Sequence, residues 1–479
     1  MRIRALVFIS LLLIVAVGLV SANSSGLPGA GWKSGQTIQN IDDVEVPMIM
    51  NAYDQAGVEY PCGSQVLKPG ESYNILPENE CTTMPAGFQG SAVVSSQGKM
   101  AAVVNVNNKP TGAASGQYVG TDGSATALSV VFPLVKNNHK GRTTTFYVQN
   151  ASESVNTMDA TFLVNGVSYP KQYANVPANA MVIITPDDAG VPSGNGNLGS
   201  LSVTGSQKLA GVSLEHEDAP VVADNMQASR GFTENDFDST LYCPLVRYDF
   251  GSKLVTTGLQ VQNVSGGPET INVTYKIERG PNAGNTIGPI SKTVNNLESA
   301  NFLQLEDLAA GDFGSATVTT QGGGNVVAVI NDKARNSTPQ RLTTYACFPG
   351  KSATKTISLP QAKEDFGGGV VNTTGIQIQN VGSAPTTVQL TYVTTEGDTI
   401  VVSHTDPIGV GQSKNFYRVA LNQTSNQTLV SGSLSSLYKT LSGVTIVSLD
   451  DEPIVAMANE SSLGSTKIQD TKNYEGFNK

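Results

Sequence analysis

The sequence predicts an all-β chain of four tandem sandwich units behind an export leader. Three observations carry that reading: a set of short blocks that recurs four times, period-two strands inside the recurrences, and an apolar run behind two N-terminal arginines. Composition agrees. Of 479 residues, 49 are glycine and 14% are charged, against roughly 25% charged in an average soluble protein. Such a chain uses its positions for aliphatic and Thr strands and for Gly, Asn and Ser turns. Lys and Arg total 29 against 39 Asp and Glu, a net charge of −10. That balance excludes nucleic acid as a partner, because phosphate binding needs a concentrated basic surface.

The leader comes first. Arg2 and Arg4 precede an apolar stretch from Ala5 to Val20, shorter than the ~20 residues of a comfortable membrane span. Small residues at Val20-Ser21-Ala22 place a signal-peptide cut between Ala22 and Asn23, so residues 1–22 are read as removed. An uncleaved anchor is the alternative. No cysteine follows the cut to hold a lipid, and the C-terminus has no apolar tail or sorting signal. The mature chain is expected to be secreted, extracellular or cell-surface associated, with no transmembrane helix.

The units follow. One block reads Gly35-Gln-Thr-Ile-Gln-Asn40, then Thr145-Phe-Tyr-Val-Gln-Asn150, Gly258-Leu-Gln-Val-Gln-Asn263 and Gly375-Ile-Gln-Ile-Gln-Asn380. A Gly-Ser pair follows each Asn by 50, 49, 51 and 52 residues, at Gly90, Gly199, Gly314 and Gly432. A late apolar block comes next, as in Met100–Asn105, Leu209–Ser213, Val326–Asn331 and Ile454–Asn459. Units 2 to 4 open on Phe132-Pro-Leu-Val135, Cys243-Pro-Leu-Val246 and Leu359-Pro-Gln-Ala362, whereas unit 1 has only Leu27-Pro28 and hence a shortened first strand. Three blocks in one order at matched spacing define a tandem repeat. The resulting boundaries are 23–122, 123–233, 234–348 and 349–479, with about ten extra residues in unit 4 after Gly432. In Leu259-Gln-Val-Gln262 and Ile376-Gln-Ile-Gln379 the aliphatics share one face and the glutamines the other, the pattern of a strand with one buried and one wet face. About 110 residues of such strands match an immunoglobulin-like β-sandwich, with a jelly roll or small barrel as the rival.

Export makes disulfides possible. Cys62 and Cys81 are close in sequence, and a bridge would close a short loop worth ~3 kcal/mol. Cys243 stands where other units have Phe132 or Leu359, and Cys347 where they have Gly120, Gly231 and Gly476. Their joint appearance at the two ends of one unit favours pairing, with two buried small residues as the alternative.

Chemistry is thin. His139, His216 and His404 fall at non-equivalent places, without nucleophile motifs or ligand spacing, and read as exposed loop residues. No catalytic residue and no cofactor is assigned. Glu234, Asp236 and Asp238, at the junction of units 2 and 3, are the candidate ligands for a stiffening calcium ion. Lys363 and Asn459 raise the idea of a self-formed isopeptide, but the late Asn is read more simply as a strand terminator.

The Pro-Leu-Val opening, the Gly-x-Gln-Val-Gln-Asn strand and the late Val-Ala-Val strand resemble the tandem immunoglobulin-like repeats of exported bacterial surface proteins. The resemblance implies a surface setting, no enzyme activity and no particular functional residue. The expected function is a rod-like structural or adhesive protein whose partners are surface polysaccharide, an envelope component or its own copies. A secreted carbohydrate- or matrix-binding array is the alternative, and a hydrolase with an unrecognised site the third reading.

Overall fold

The computed structural model describes the chain except residues 1–8, 16–25, 109–112, 219–224, 337–340, 368–370, 418, 420–424 and 464–470; the leader's Val20-Ser21-Ala22 cut lies outside the described residues. The fold is all-β with two sheets per unit. Unit 3 shows the plan. Its eight strands are Thr240–Arg247, Val255–Asn263, Glu269–Arg279, Thr286–Val294, Ser299–Leu303, Phe313–Thr320, Val326–Ala334 and Arg341–Ala346. One sheet runs fourth-third-sixth-first and the other fifth-second-seventh-eighth, all antiparallel. The first strand therefore lies beside the sixth, whereas in immunoglobulin constant domains it lies beside the second. In unit 2 the sixth and seventh strands are one continuous strand, Leu198–Glu217, that passes from one sheet into the other.

The two sheets differ in burial, and the sequence pattern explains only one of them. Along the third strand Ile271, Val273, Tyr275 and Ile277 are buried while Asn272, Thr274 and Lys276 are half-exposed, as period two requires. The second strand departs from that pattern. Leu259 and Val261 point into the sandwich, yet Gln260, Gln262 and Asn263 are buried as well. The glutamine face expected to be wet is covered by a neighbouring unit.

It is covered because the four units close into a ring. The eighth strands, Ser115–Val119, Met226–Arg230, Arg341–Ala346 and Lys472–Glu475, each pack on the next around a common axis, unit 4 returning to unit 1. All are buried but for half-exposed Arg230. The apolar cores cross the seams. Tyr147, Met181 and Met226 of unit 2 join the unit 1 core, and Val455 and Met457 of unit 4 join that of unit 3. Val103 and Val119 of unit 1 join the unit 4 core, and Val131, Phe232, Val327, Val329 and Ala346 link units 2 and 3. The expected rod is thus corrected to a closed four-lobed body.

Two repeat assignments also change. The backbone of Ile9–Val15 pairs with Gly90–Ser96 and with Thr121–Asp122, the place of unit 1's first strand. A continuous apolar run serves equally as a leader's centre or as a doubly paired strand, and periodicity cannot separate the two. In unit 4 the counterpart of the Gly-Ser pair is Ser442-Gly443, not Gly432-Ser433. Ser442 and Gly443 face Thr394 and Val393 across the sheet as Gly314 and Ser315 face Ile277 and Lys276. The extra residues precede that strand, forming Gln427–Ser431 on the fourth strand's edge and a short 3-10 turn at Leu434–Leu437.

Candidate functional site

The recurring polar residues hold the ring together. Each Asn of the Gln-Asn block is fully buried and ties the loop after its strand to the other sheet. Asn263 Nδ2 donates to Gly267 O at 2.7 Å and Val294 O at 2.8 Å, while its Oδ1 accepts from Ser265 N at 2.9 Å. Asn40, Asn150 and Asn380 make equivalent bonds. The Gln before each Asn donates to a turn carbonyl, at Gly70, Asn179, Leu297 or Gly411. All four turn residues have positive φ, between 58° and 75°. The same carbonyl accepts from the preceding unit's Gly-Ser serine: Ser91 to Asn179 at 2.6 Å, Ser200 to Leu297 at 2.5 Å, Ser315 to Gly411 at 2.8 Å. At the closing seam Gly443 replaces the serine. A β-carbon there would stand 2.4 Å from Gln39 Nε2 and 2.8 Å from Gly70 O, so only glycine fits. Ser72 Oγ bonds Pro360 O at 2.8 Å instead.

The opening X-Pro-Leu-Val block is a β-bulge, with register shifts at Phe132/Val135, Cys243/Val246 and Leu359/Ala362. A closing-block tyrosine clamps it. Tyr345 Oη accepts from Leu245 N at 3.0 Å and donates to Leu245 O at 2.7 Å; Tyr474 does the same to Gln361. The lysine or arginine that follows meets an acid of the seventh strand: Lys136 with Glu215 at 2.7 Å, Arg247 with Asp332, Lys363 with Glu460 at 2.9 Å. Burial pushes the Glu215 carboxyl up, but Lys136, Arg142 and two hydrogen bonds hold it below its ordinary value. Lys363 thus meets Glu460 rather than Asn459. Asn105, Asn331 and Asn459 do not end strands; they sit inside them and bond eighth-strand side chains.

The candidate functional residues fall as follows. Cys62–Cys81 and Cys243–Cys347 are both disulfides. In unit 2 a β-carbon at Gly231 would meet Val130 at 2.4 Å and Phe132 at 2.9 Å, and in unit 4 one at Gly476 would meet Ile357 at 2.4 Å, Ala456 O at 2.8 Å and Leu359 at 3.3 Å, so the first-strand side chains leave room only for glycine. Unit 3 fills the same space with its bridge. Glu234, Asp236 and Asp238 are used as local braces. Asp236 pairs with Arg230 at 2.8 Å and caps Thr233 N at 2.9 Å. Asp238 accepts from Thr240 N and Lys351 N, and Glu234 offers Lys351 its backbone carbonyl. Among the described residues no three His, Cys, Asp or Glu gather as a metal site. The histidines correct their reading as exposed loops. His139 is a half-buried turn residue accepting from Gly196 N at 2.9 Å. His216 is buried against Thr145 Oγ1 at 3.1 Å, and burial lowers its pKa. His404 is buried against Phe416, and burial followed by Lys414 lowers its pKa to about 4.

Among the described residues, three of the larger hollows lie where units meet. An axial depression of about 480 Å³ takes walls from all four units, among them Val119, Arg230, Phe348 and Glu475. Its charges are engaged. Arg230 holds Asp236 and rests over the Phe232 ring at 5.0 Å. Glu475 accepts from Ala346 N, and its carboxyl is raised by burial against the pull of Arg230. A cleft of about 490 Å³ separates units 2 and 3, and one of about 410 Å³ separates units 3 and 4. None of these could be found from the sequence, because their walls come from segments about a hundred residues apart.

No protein-family model matches the chain, and no curated protein matches it. Among solved structures it is similar to one described as "Crystal structure of tetra-tandem repeat in extending region of large adhesion protein". The identity is 11%, over 92% of this chain and 94% of that one, with a TM-score of 0.11. A likeness at that level carries no argument about function.

Proposed function

We propose that the chain is an exported, non-enzymatic cell-surface or extracellular protein with a structural or adhesive role, made of four immunoglobulin-like units and freed from its leader after Ala22, a cut that would vacate the place Ile9–Val15 takes beside Gly90–Ser96 in the full chain. One observation carries this. The residues the units share, the buried Asn, the Gln and Ser of the seams and the bulge-clamping Tyr, are engaged in holding four lobes together. What repeats is architecture, and the reactive side chains do not repeat. Two disulfides suit an oxidising compartment. The body would act by presenting its rim loops and unit-edge clefts rather than by spacing lobes along a fibre. The test is on intact cells. Surface biotinylation should label the protein, and its N-terminal peptide should begin at Asn23. Confinement to the cytoplasm, or turnover of glycan or peptide substrates by the pure chain, would overturn the reading.

A further inference from the structure

The cleft between units 3 and 4 contains a charge that has no counter-ion among the described residues. Arg341 opens the eighth strand of unit 3 and is only 8% exposed. Among the described residues its Nε has no hydrogen-bond partner and its guanidinium has no carboxylate beside it. This is unlike the half-buried cations of the repeat, Lys136, Arg247 and Lys363, each of which holds an acid. Arginine cannot escape the cost of burial by losing its proton. A buried charge is stable only when an opposite charge and hydrogen bonds meet it.

The surroundings say what that opposite charge should be. Among the described residues the cleft of about 410 Å³ is lined by Arg247, Lys253 and Arg341 against one acid, Asp332, which Arg247 already holds. Desolvation, and after it the nearby Arg341 charge, lower the pKa of Lys253. A net positive hollow on a chain of net charge −10 runs against the overall field. Thr471 lines the same cleft, and its Oγ1 is a second buried polar atom with no partner among the described residues. The rest of the wall offers hydroxyls, an amide and two aromatic rings, Phe250 and Tyr417. Volume, polarity and aromatic faces suit a sugar ring more than a bare ion. A guanidinium fork is matched by a planar carboxylate or by a sulfate.

We infer that this cleft binds an acidic saccharide unit, its carboxylate or sulfate received by Arg341 and Lys253 and its hydroxyls by Thr471 and the neighbouring polar side chains. The inference does not depend on where the protein resides, so localisation and ligand binding can fail separately.

Calorimetric titration of the full chain tests it, with a galacturonic acid tetrasaccharide, a sulfated chondroitin tetrasaccharide and neutral cellotetraose as probes. One or both acidic probes should bind, more weakly as salt rises, and cellotetraose should not. Binding of the galacturonic acid probe would show that a carboxylate suffices, and loss of chondroitin binding on desulfation would assign the sulfate. Arg341→Met should lose at least tenfold in affinity while melting at the same or higher temperature, since it removes an unpaired buried charge. Lys253→Gln, an exposed change that leaves folding alone, should weaken binding severalfold. Three outcomes would overturn the proposal: no binding of either acidic probe, equal binding of cellotetraose, or unaltered affinity in both variants.

Discussion

Asn263 makes three hydrogen bonds from a fully buried side chain: two hold the loop after its own strand, and one, to Val294 O, reaches a strand end of the other sheet. Truncation to alanine would strand the buried Val294 carbonyl and take a partner from half-buried Ser265 N and Gly267 O. Leaving such groups unsatisfied costs more than the bonds contribute, so Asn263→Ala should destabilise the protein by about 3 kcal/mol in urea denaturation, whereas the same change at exposed Asn285 should matter far less. The recurrence of this Asn was legible in the sequence, but its task was not. Its partner Val294 lies 31 residues on and contributes only a carbonyl, which leaves no trace in residue type. His404 makes a second prediction. The unfolded chain takes up a proton on this ring near pH 6.5, the folded chain only near about 4. Between those values the unfolded state binds more protons, so stability falls as pH falls, by about 3 kcal/mol once below both. Wild-type stability from pH 7 to 4, compared with His404→Phe, should show that loss in the wild type alone. Parallel curves would show that His404 is not its source.

At the scale of the element, one task has two solutions. The place where a unit's first strand meets its closing block is filled by Phe132 over Gly231, by Leu359 over Gly476, and by the Cys243–Cys347 bridge. Here the aligned repeats anticipated the geometry, because volume lost at one position and gained at the other appears as a paired departure. The bridge also spans nearly the whole of unit 3, a sequence separation of 104 residues, against 19 for Cys62–Cys81. Chain entropy then predicts about 4.7 kcal/mol for the long loop and about 3 kcal/mol for the short one. Denaturation of the two double Cys→Ala variants should rank them in that order; a larger loss from the Cys62–Cys81 pair would contradict it. The sequence was less informative where a strand has two buried faces. Alternating Gln and aliphatic residues look half wet, and only the neighbouring unit reveals that Gln260 and Gln262 are interior. Amide side chains tolerate either setting, so the second strands of this ring read like edge surface.

At the scale of the whole molecule, ring closure changes what four repeats can do. A chain of independent beads would unfold bead by bead and scatter as an extended object. A body whose cores run across every seam should behave as one cooperative unit. A compact chain of this length has a radius of gyration of about 23 Å, and four units laid end to end would roughly double it. Small-angle scattering therefore separates the two shapes directly. The stronger test removes one lobe. Unit 4 touches units 1 and 3 at once, through Gln361 with Gln117 at 2.7 Å and through Asn473 with Thr343 at 2.8 Å. A chain ending at residue 348 would expose Val103 and Val119 on one neighbour and the patch beneath Val455 and Met457 on the other. Two uncovered apolar faces promote association, and each neighbour loses the burial its core was sized for. The shortened chain should thus unfold at a lower urea concentration than the full chain, with units 1 and 3 affected together, and should self-associate on a sizing column. If the three remaining units kept the midpoint of the full protein and ran as a monomer, the seams would be mere contacts. The shared Gln and Ser residues would then need another reason to recur.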